Sequence, residues 1–164
     1  MTRARTTFAV GAIDTATAAA LRDVDDAGRA PRFLVEEEGG SPLRCCLRLS
    51  RPGERIALLS YAPLRRFART LGADPGAYDE VGPVFVHADP CEGPAGDGYP
   101  EELRAERRLL RAYAGDGRIL RGVLVEANGP FEDVLDELVS DPQVAVVHAR
   151  AVEFGCFTFE VRRR

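Results

Sequence analysis

Two apolar runs, Leu109 to Ala114 and Ile119 to Glu126, stand on either side of Gly115-Asp116-Gly117. A connection that short joins antiparallel strands only, because a parallel crossover needs a dozen or more residues. The same brevity recurs along the chain. Arg51-Pro52-Gly53-Glu54 is a turn signal between residues 43–50 and residues 55–61, which read as hairpin partners. The last two apolar runs, residues 143–150 and 155–162, are separated only by Ala151-Val152-Glu153-Phe154. Strands joined this way disfavour a doubly wound parallel sheet. They predict an α+β fold with a mixed or mostly antiparallel sheet.

The remaining elements follow from periodicity and punctuation. Residues 6–13, 32–37 and 83–89 read as strands. Residues 43–50 alternate, with Leu43, Cys45, Leu47 and Leu49 on one face and Arg44, Cys46, Arg48 and Ser50 on the other. Asp14 or Thr15 caps a helix over residues 16–27, and Gly28 follows its end. Pro63, Pro100 and Pro130 open further helical stretches, to Leu71, about Arg107 and Val139. In the third, Phe131, Val134, Leu135 and Leu138 share a face. Residues 71–81 read as a surface loop. Residues 91–99, rich in Gly and acidic side chains, read as a flexible one. The expectation is eight or nine strands and three or four helices in a single domain over residues 1–164. A chain of this size needs neither disulfides nor metal to hold a core.

Charge and composition narrow the function classes. The net charge of −4 argues against broad binding to nucleic acid or to an acidic membrane. All 22 Lys-or-Arg positions are Arg, and Ala, Gly and Pro are heavy, which points to a high-GC bacterial genome. A single arginine therefore carries less functional weight than usual, and Arg162-Arg163-Arg164 reads as a short solvated tail. The start Met1-Thr2-Arg3-Ala4-Arg5 has signal-like charges, but Asp14 breaks the short apolar stretch after it. No run approaches a bilayer span. The chain reads as cytoplasmic, with its four cysteines as reduced thiols.

The two histidines carry the most chemistry. Each ends an apolar run, and each is closely followed by a cysteine. One segment is Val84-Phe85-Val86-His87-Ala88-Asp89-Pro90-Cys91. The other is Val146-Val147-His148-Ala149-Arg150, with Gly155-Cys156-Phe157 beyond it. Imidazole changes charge near neutral pH, and thiolate is a strong nucleophile.

Several of these segments resemble a family of bacterial proteins of about this length. They are Gly82-Pro83-Val84-Phe85-Val86-His87-Ala88, Val147-His148-Ala149-Arg150, Gly155-Cys156-Phe157, Arg44-Cys45-Cys46-Leu47 and Leu58-Leu59-Ser60-Tyr61. The family is the domain of unknown function 1203. The resemblance spans nearly the whole chain and implies no activity, substrate or cofactor.

From the residues alone, the leading expectation is binding, with or without turnover, of a small anionic molecule. Arg44, His87 and Arg150 are the binding candidates, with Arg48 and His148 as further donors. His87 and His148 are expected to share one cavity. The second expectation is a zinc- or thiol-dependent enzyme. Its thiol version uses His148 and Cys156, placed opposite one another in a terminal hairpin with a three-residue loop. No metal set is assigned. There is no C-x-x-C, and Cys45 and Cys46, adjacent in an expected strand, would point to opposite faces. A set of His87, Cys91, His148 and Cys156 is the conceivable one. The third expectation is a non-catalytic interaction protein that forms a homodimer through an exposed sheet edge.

Overall fold

Asp14 begins the first helix as the sequence implies. Its carboxylate accepts the Thr17 backbone N–H at 2.8 Å, and that bond holds the Asp14 pKa below its ordinary value. A computed structural model describes residues 5–164; the basic start at residues 1–4 lies outside the described residues. Within them are α1 (Thr15–Asp23), α2 (Pro63–Thr70) and α3 (Phe131–Ser140). The strands are β1 (Phe8–Gly11), β2 (Arg32–Val35), β3 (Pro42–Leu43), β4 (Arg48–Leu49), β5 (Arg55–Tyr61), β6 (Gly82–His87), β7 (Arg108–Tyr113), β8 (Ile119–Val125), β9 (Val146–Ala151) and β10 (Phe157–Arg163). The chain is α+β with three α-helices among the described residues; the stretch after Pro100 makes only a 3-10 turn, Glu101–Leu103.

The strands form two five-stranded sheets instead of one, in the orders β1-β10-β9-β7-β8 and β2-β5-β6-β3-β4. The ladders are antiparallel apart from β3 beside β6. The β7–β8 hairpin forms as its glycines imply. Residues 43–50 and 55–61 do not pair. β5 lies between β2 and β6. Glu36 and Glu54 close the β2–β5 ladder, through Glu36 N–H to the Glu54 carbonyl at 2.8 Å. The segment between them is thus an excursion that makes its own small hairpin.

That excursion corrects the expected strand over residues 43–50. The strand stops at Leu43, turns through Arg44–Leu47, and resumes at Arg48. Leu47 N–H returns to the Leu43 carbonyl at 2.8 Å, and Leu47 takes φ 60°, in the left-handed region. Alternating apolar residues satisfied both conformations, because Leu43, Cys45 and Leu47 are buried in either. A second correction concerns the terminal arginines. β10 runs to Arg163, which donates to the carbonyls of Val139 (2.8 Å), Asp141 (2.9 Å) and Val144 (3.1 Å). The first two carbonyls lie at the C-terminal end of α3, where a cation is favourable.

Each sheet has its own apolar core. α3 lays Phe131, Leu135, Leu138 and Val139 against Phe8, Leu110, Val147 and Phe159 of the first sheet. α1 buries Ala18 and Leu21 against Ile56, Leu59, Val84 and Val86 of the second. Phe157 belongs to β10 yet packs in the second core, so it joins the two. Residues 91–99 are tied to the first core: Tyr99 stacks on Phe131 at 4.3 Å, and the Asp97 carbonyl accepts Val10 N–H at 2.7 Å.

Gly117 leaves no room for a side chain. Gly117 has φ 92°, and a Cβ there would meet Pro75 Cβ at 2.7 Å. Gly117→Ala is expected to destabilise the fold by more than about 1 kcal/mol, read as a lower urea midpoint at unchanged m value.

Candidate metal centre

The tight turn between β3 and β4 brings two adjacent cysteines to one point. In a strand they would face apart; in the turn Cys45 and Cys46 both reach the imidazole at the end of β6. His87 Nδ1 lies 3.4 Å from Cys45 Sγ and 3.8 Å from Cys46 Sγ. The turn is docked there by Arg44 N–H, which donates to the Phe85 carbonyl at 2.8 Å. Asp89-Pro90 then reverses the chain after β6 and returns Cys91. The three sulfurs and the imidazole nitrogen all lie within 4.8 Å of one another. Zn–S bonds of about 2.3 Å and Zn–N bonds of about 2.0 Å imply tetrahedral edges of roughly 3.5–3.8 Å, so the spacing needs little closure.

Backbone N–H groups point at all three sulfurs. Cys45 Sγ accepts His87 N–H at 3.2 Å, and Cys91 Sγ accepts Gly93 N–H at 3.5 Å. Cys46 Sγ accepts the backbone N–H of Arg48. Hydrogen bonds to an anionic sulfur stabilise it. Cys45 and Cys46 share a proton unequally. The hydrogen bond between them, with burial second, pushes the Cys45 thiol up. The same hydrogen bond lowers Cys46 against burial, with the Arg48 backbone N–H and guanidinium charge helping.

The far side of the imidazole is fixed by a carboxylate. His87 Nε2 lies 2.7 Å from Glu54 Oε2. Arg48 grips the same carboxylate at 2.8 and 2.7 Å, and this pairing, ahead of the His87 bond, holds Glu54 well below the usual carboxylate range. An ionised Glu54 must face an N–H, so Nε2 carries the proton. Arg48 Nη2, 3.1 Å from Nε2, is then a neighbour of that proton and not its acceptor. The Nδ1 lone pair is left aimed at the sulfurs. Such a carboxylate behind a histidine orients the ring and raises its basicity toward a metal.

Of Arg44, His87, His148, Arg150 and Cys156, the structure brings Arg44 and Cys156 to one recess and Arg150 and Cys156 to another. Only His87 belongs to the cluster. Arg44 lies beneath the turn, 3% exposed, and donates to the Phe157 carbonyl of the other sheet at 2.8 Å. Arg150 is paired with Glu80 at 2.7 Å. Cys156 lies in the connection before β10. His148 is fully buried between the Tyr113 and Phe157 rings, at 4.8 and 5.0 Å, and is not part of the cluster around His87. The β9–β10 register places Glu160 opposite His148, so the expected thiol–imidazole opposition with Cys156 does not form. A bulge between Phe157 and Phe159 shifts the pairing.

Cys45, Cys46 and Glu54 were not joined to His87 in the sequence; Cys91 was, but with His148 and Cys156, which lie outside the cluster. His87 and Cys91 do have a metal-like spacing of three intervening residues, and that signal was available. No residue of the turn announces it, since it holds neither Gly, Pro nor Asn.

The family model described as Protein of unknown function (DUF1203) matches residues 40–163. The cluster falls wholly within that span; β1, α1 and β2 precede it. The chain matches no curated protein and no solved structure.

Proposed function

We propose that this chain, which belongs to the family described as Protein of unknown function (DUF1203), is a zinc-binding protein holding one ion through Cys45, Cys46, Cys91 and His87. The observation that carries this reading is the convergence of three sulfurs and Nδ1 within 4.8 Å. The N–H···S bonds and the Glu54 brace supply what such a site needs around its ligands. Three thiolates and an imidazole suit Zn²⁺, which takes tetrahedral N/S ligands. Four protein ligands leave no position for a reactive water. The ion therefore ties the β3–β4 turn to the chain leaving β6, and hydrolysis at the metal is not part of the reading. A reducing bacterial cytoplasm fits ligands that must stay thiolates, and the described cysteines are free. No helix among the described residues is long and apolar enough to cross a membrane.

Elemental analysis of protein purified without chelator is expected to give about one zinc per chain. Titration of the metal-free protein with Co²⁺ is expected to give sulfur-to-cobalt charge transfer with intense visible bands of a tetrahedral site. Cys46→Ser should weaken both. Protein that takes up neither ion sinks the proposal. Fast alkylation of Cys46 in such protein, lost in His87→Ala, would mark a thiol–imidazole pair instead.

A further inference from the structure

Between the two sheets lies a recess of about 430 Å³ whose wall includes none of the four cluster residues. Leu58, Pro83, Phe85 and Phe154 make it largely apolar, and Arg44 and Arg108 stand in the same wall. Both arginines are 3% exposed. Arg44 directs Nε to the Phe157 carbonyl at 2.8 Å and Nη1 to the Pro42 carbonyl at 2.6 Å, so its bonded partners carry no charge. Arg108 Nη1 reaches one carboxylate, Glu106, at 3.2 Å, whose own side chain is 68% exposed. Its Nε–H is buried and forms no hydrogen bond. Burial lowers the Arg44 guanidinium to about 10 against an opposing pull from Cys156, and repulsion from Arg108 adds a smaller lowering. Two desolvated cations in one wall, facing one solvent-screened carboxylate, are costly unless an anion joins them.

We propose that this recess binds a small monocarboxylate with an apolar body, its carboxylate between Arg44 and Arg108. Two guanidiniums against Glu106 leave one positive charge to match, which fits a monoanion. The planar guanidinium fork suits a carboxylate, and the apolar walls would not replace the hydration of a phosphate dianion. None of the four cluster residues lines the recess, although Arg44 reaches it from the turn that carries Cys45 and Cys46.

Octanoate is the probe, with octan-1-ol as its uncharged counterpart, on the zinc-loaded full chain. Cys156 lines the recess and is a free thiol, so its alkylation rate, followed by peptide-resolved mass spectrometry, reports occupancy. Octanoate is expected to slow that reaction several-fold, and octan-1-ol to leave it unchanged. By titration calorimetry Arg108→Gln should raise the octanoate Kd about tenfold or more. Glu106→Gln, at an exposed side chain, should lower it several-fold by freeing Arg108. No protection at millimolar octanoate, or equal protection by the alcohol, overturns the proposal. Should Arg108→Gln fail to fold, Glu106→Gln decides alone, and an unchanged Kd for it is a refutation.

Discussion

Chelation of the bound zinc should lower the melting temperature by about 8–16 °C. Free zinc a thousandfold above its Kd stabilises the native chain by about 4 kcal/mol, and each kcal/mol is about 2–4 °C for a chain of this size. The metal-free chain should nonetheless stay folded, because both apolar cores close without the ion. What loosens is local. Hydrogen exchange should rise at the Arg44–Leu47 turn and at residues 88–93, and stay slow in β7, β9 and β10. Cys45→Ala and His87→Ala should abolish the chelator effect; Cys156→Ala, outside the cluster, should preserve it. Glu54→Gln keeps a hydrogen-bond acceptor but loses the charge that orients the imidazole, and should weaken zinc about 10–100-fold. A melting temperature indifferent to chelator in zinc-loaded protein would mean that the ion does not bridge these segments.

The contrast between what the sequence disclosed and what it hid has a physical basis. The β7–β8 hairpin was legible because Gly115-Asp116-Gly117 permits little else, and α3 because Phe131, Leu135 and Leu138 recur at helical spacing. The division into two sheets was not legible. It depends on Glu36 and Glu54 meeting across an excursion, and no local pattern encodes which strands meet across a gap. The metal cluster was hidden by a related ambiguity. Alternation over Leu43–Ser50 is a burial pattern, and a tight turn with Leu47 at positive φ buries Leu43, Cys45 and Leu47 as a strand would. Once that turn is read as a strand, Cys45 and Cys46 are pushed to opposite faces and the site disappears. His148 misled for the converse reason. An imidazole at the end of an apolar strand has the same sequence setting whether it faces a cavity or a packed core.

His148 should make the fold acid-sensitive well above the carboxylate range. Its ring is fully buried, and neither nitrogen has a hydrogen-bond partner. Burial lowers its pKa from 6.5 to about 3, and the charges of Arg150, Arg111 and Arg162 push the same way. The native state therefore keeps the ring neutral while the unfolded chain takes up a proton below about pH 6.5. The unfolded state then binds more protons, so stability falls as pH falls, by about 2 kcal/mol at pH 5 relative to pH 7. Glu160, opposite His148 in the β9–β10 register, works in the other direction. Burial raises its carboxyl pKa, so its contribution is present at low pH and is lost as pH rises above 4.5. Comparison with His148→Leu, close to histidine in volume, separates the two, because Glu160 is common to both proteins. The substitution also removes two unbonded polar atoms from an apolar setting between Tyr113 and Phe157, so it should be neutral or stabilising at pH 7. Urea midpoints at pH 7, 6 and 5 should converge on those of the variant at pH 7 and fall progressively below them on acidification. Parallel loss in both proteins would show that the imidazole takes up its proton in the native state, and that the ring is not sealed from solvent.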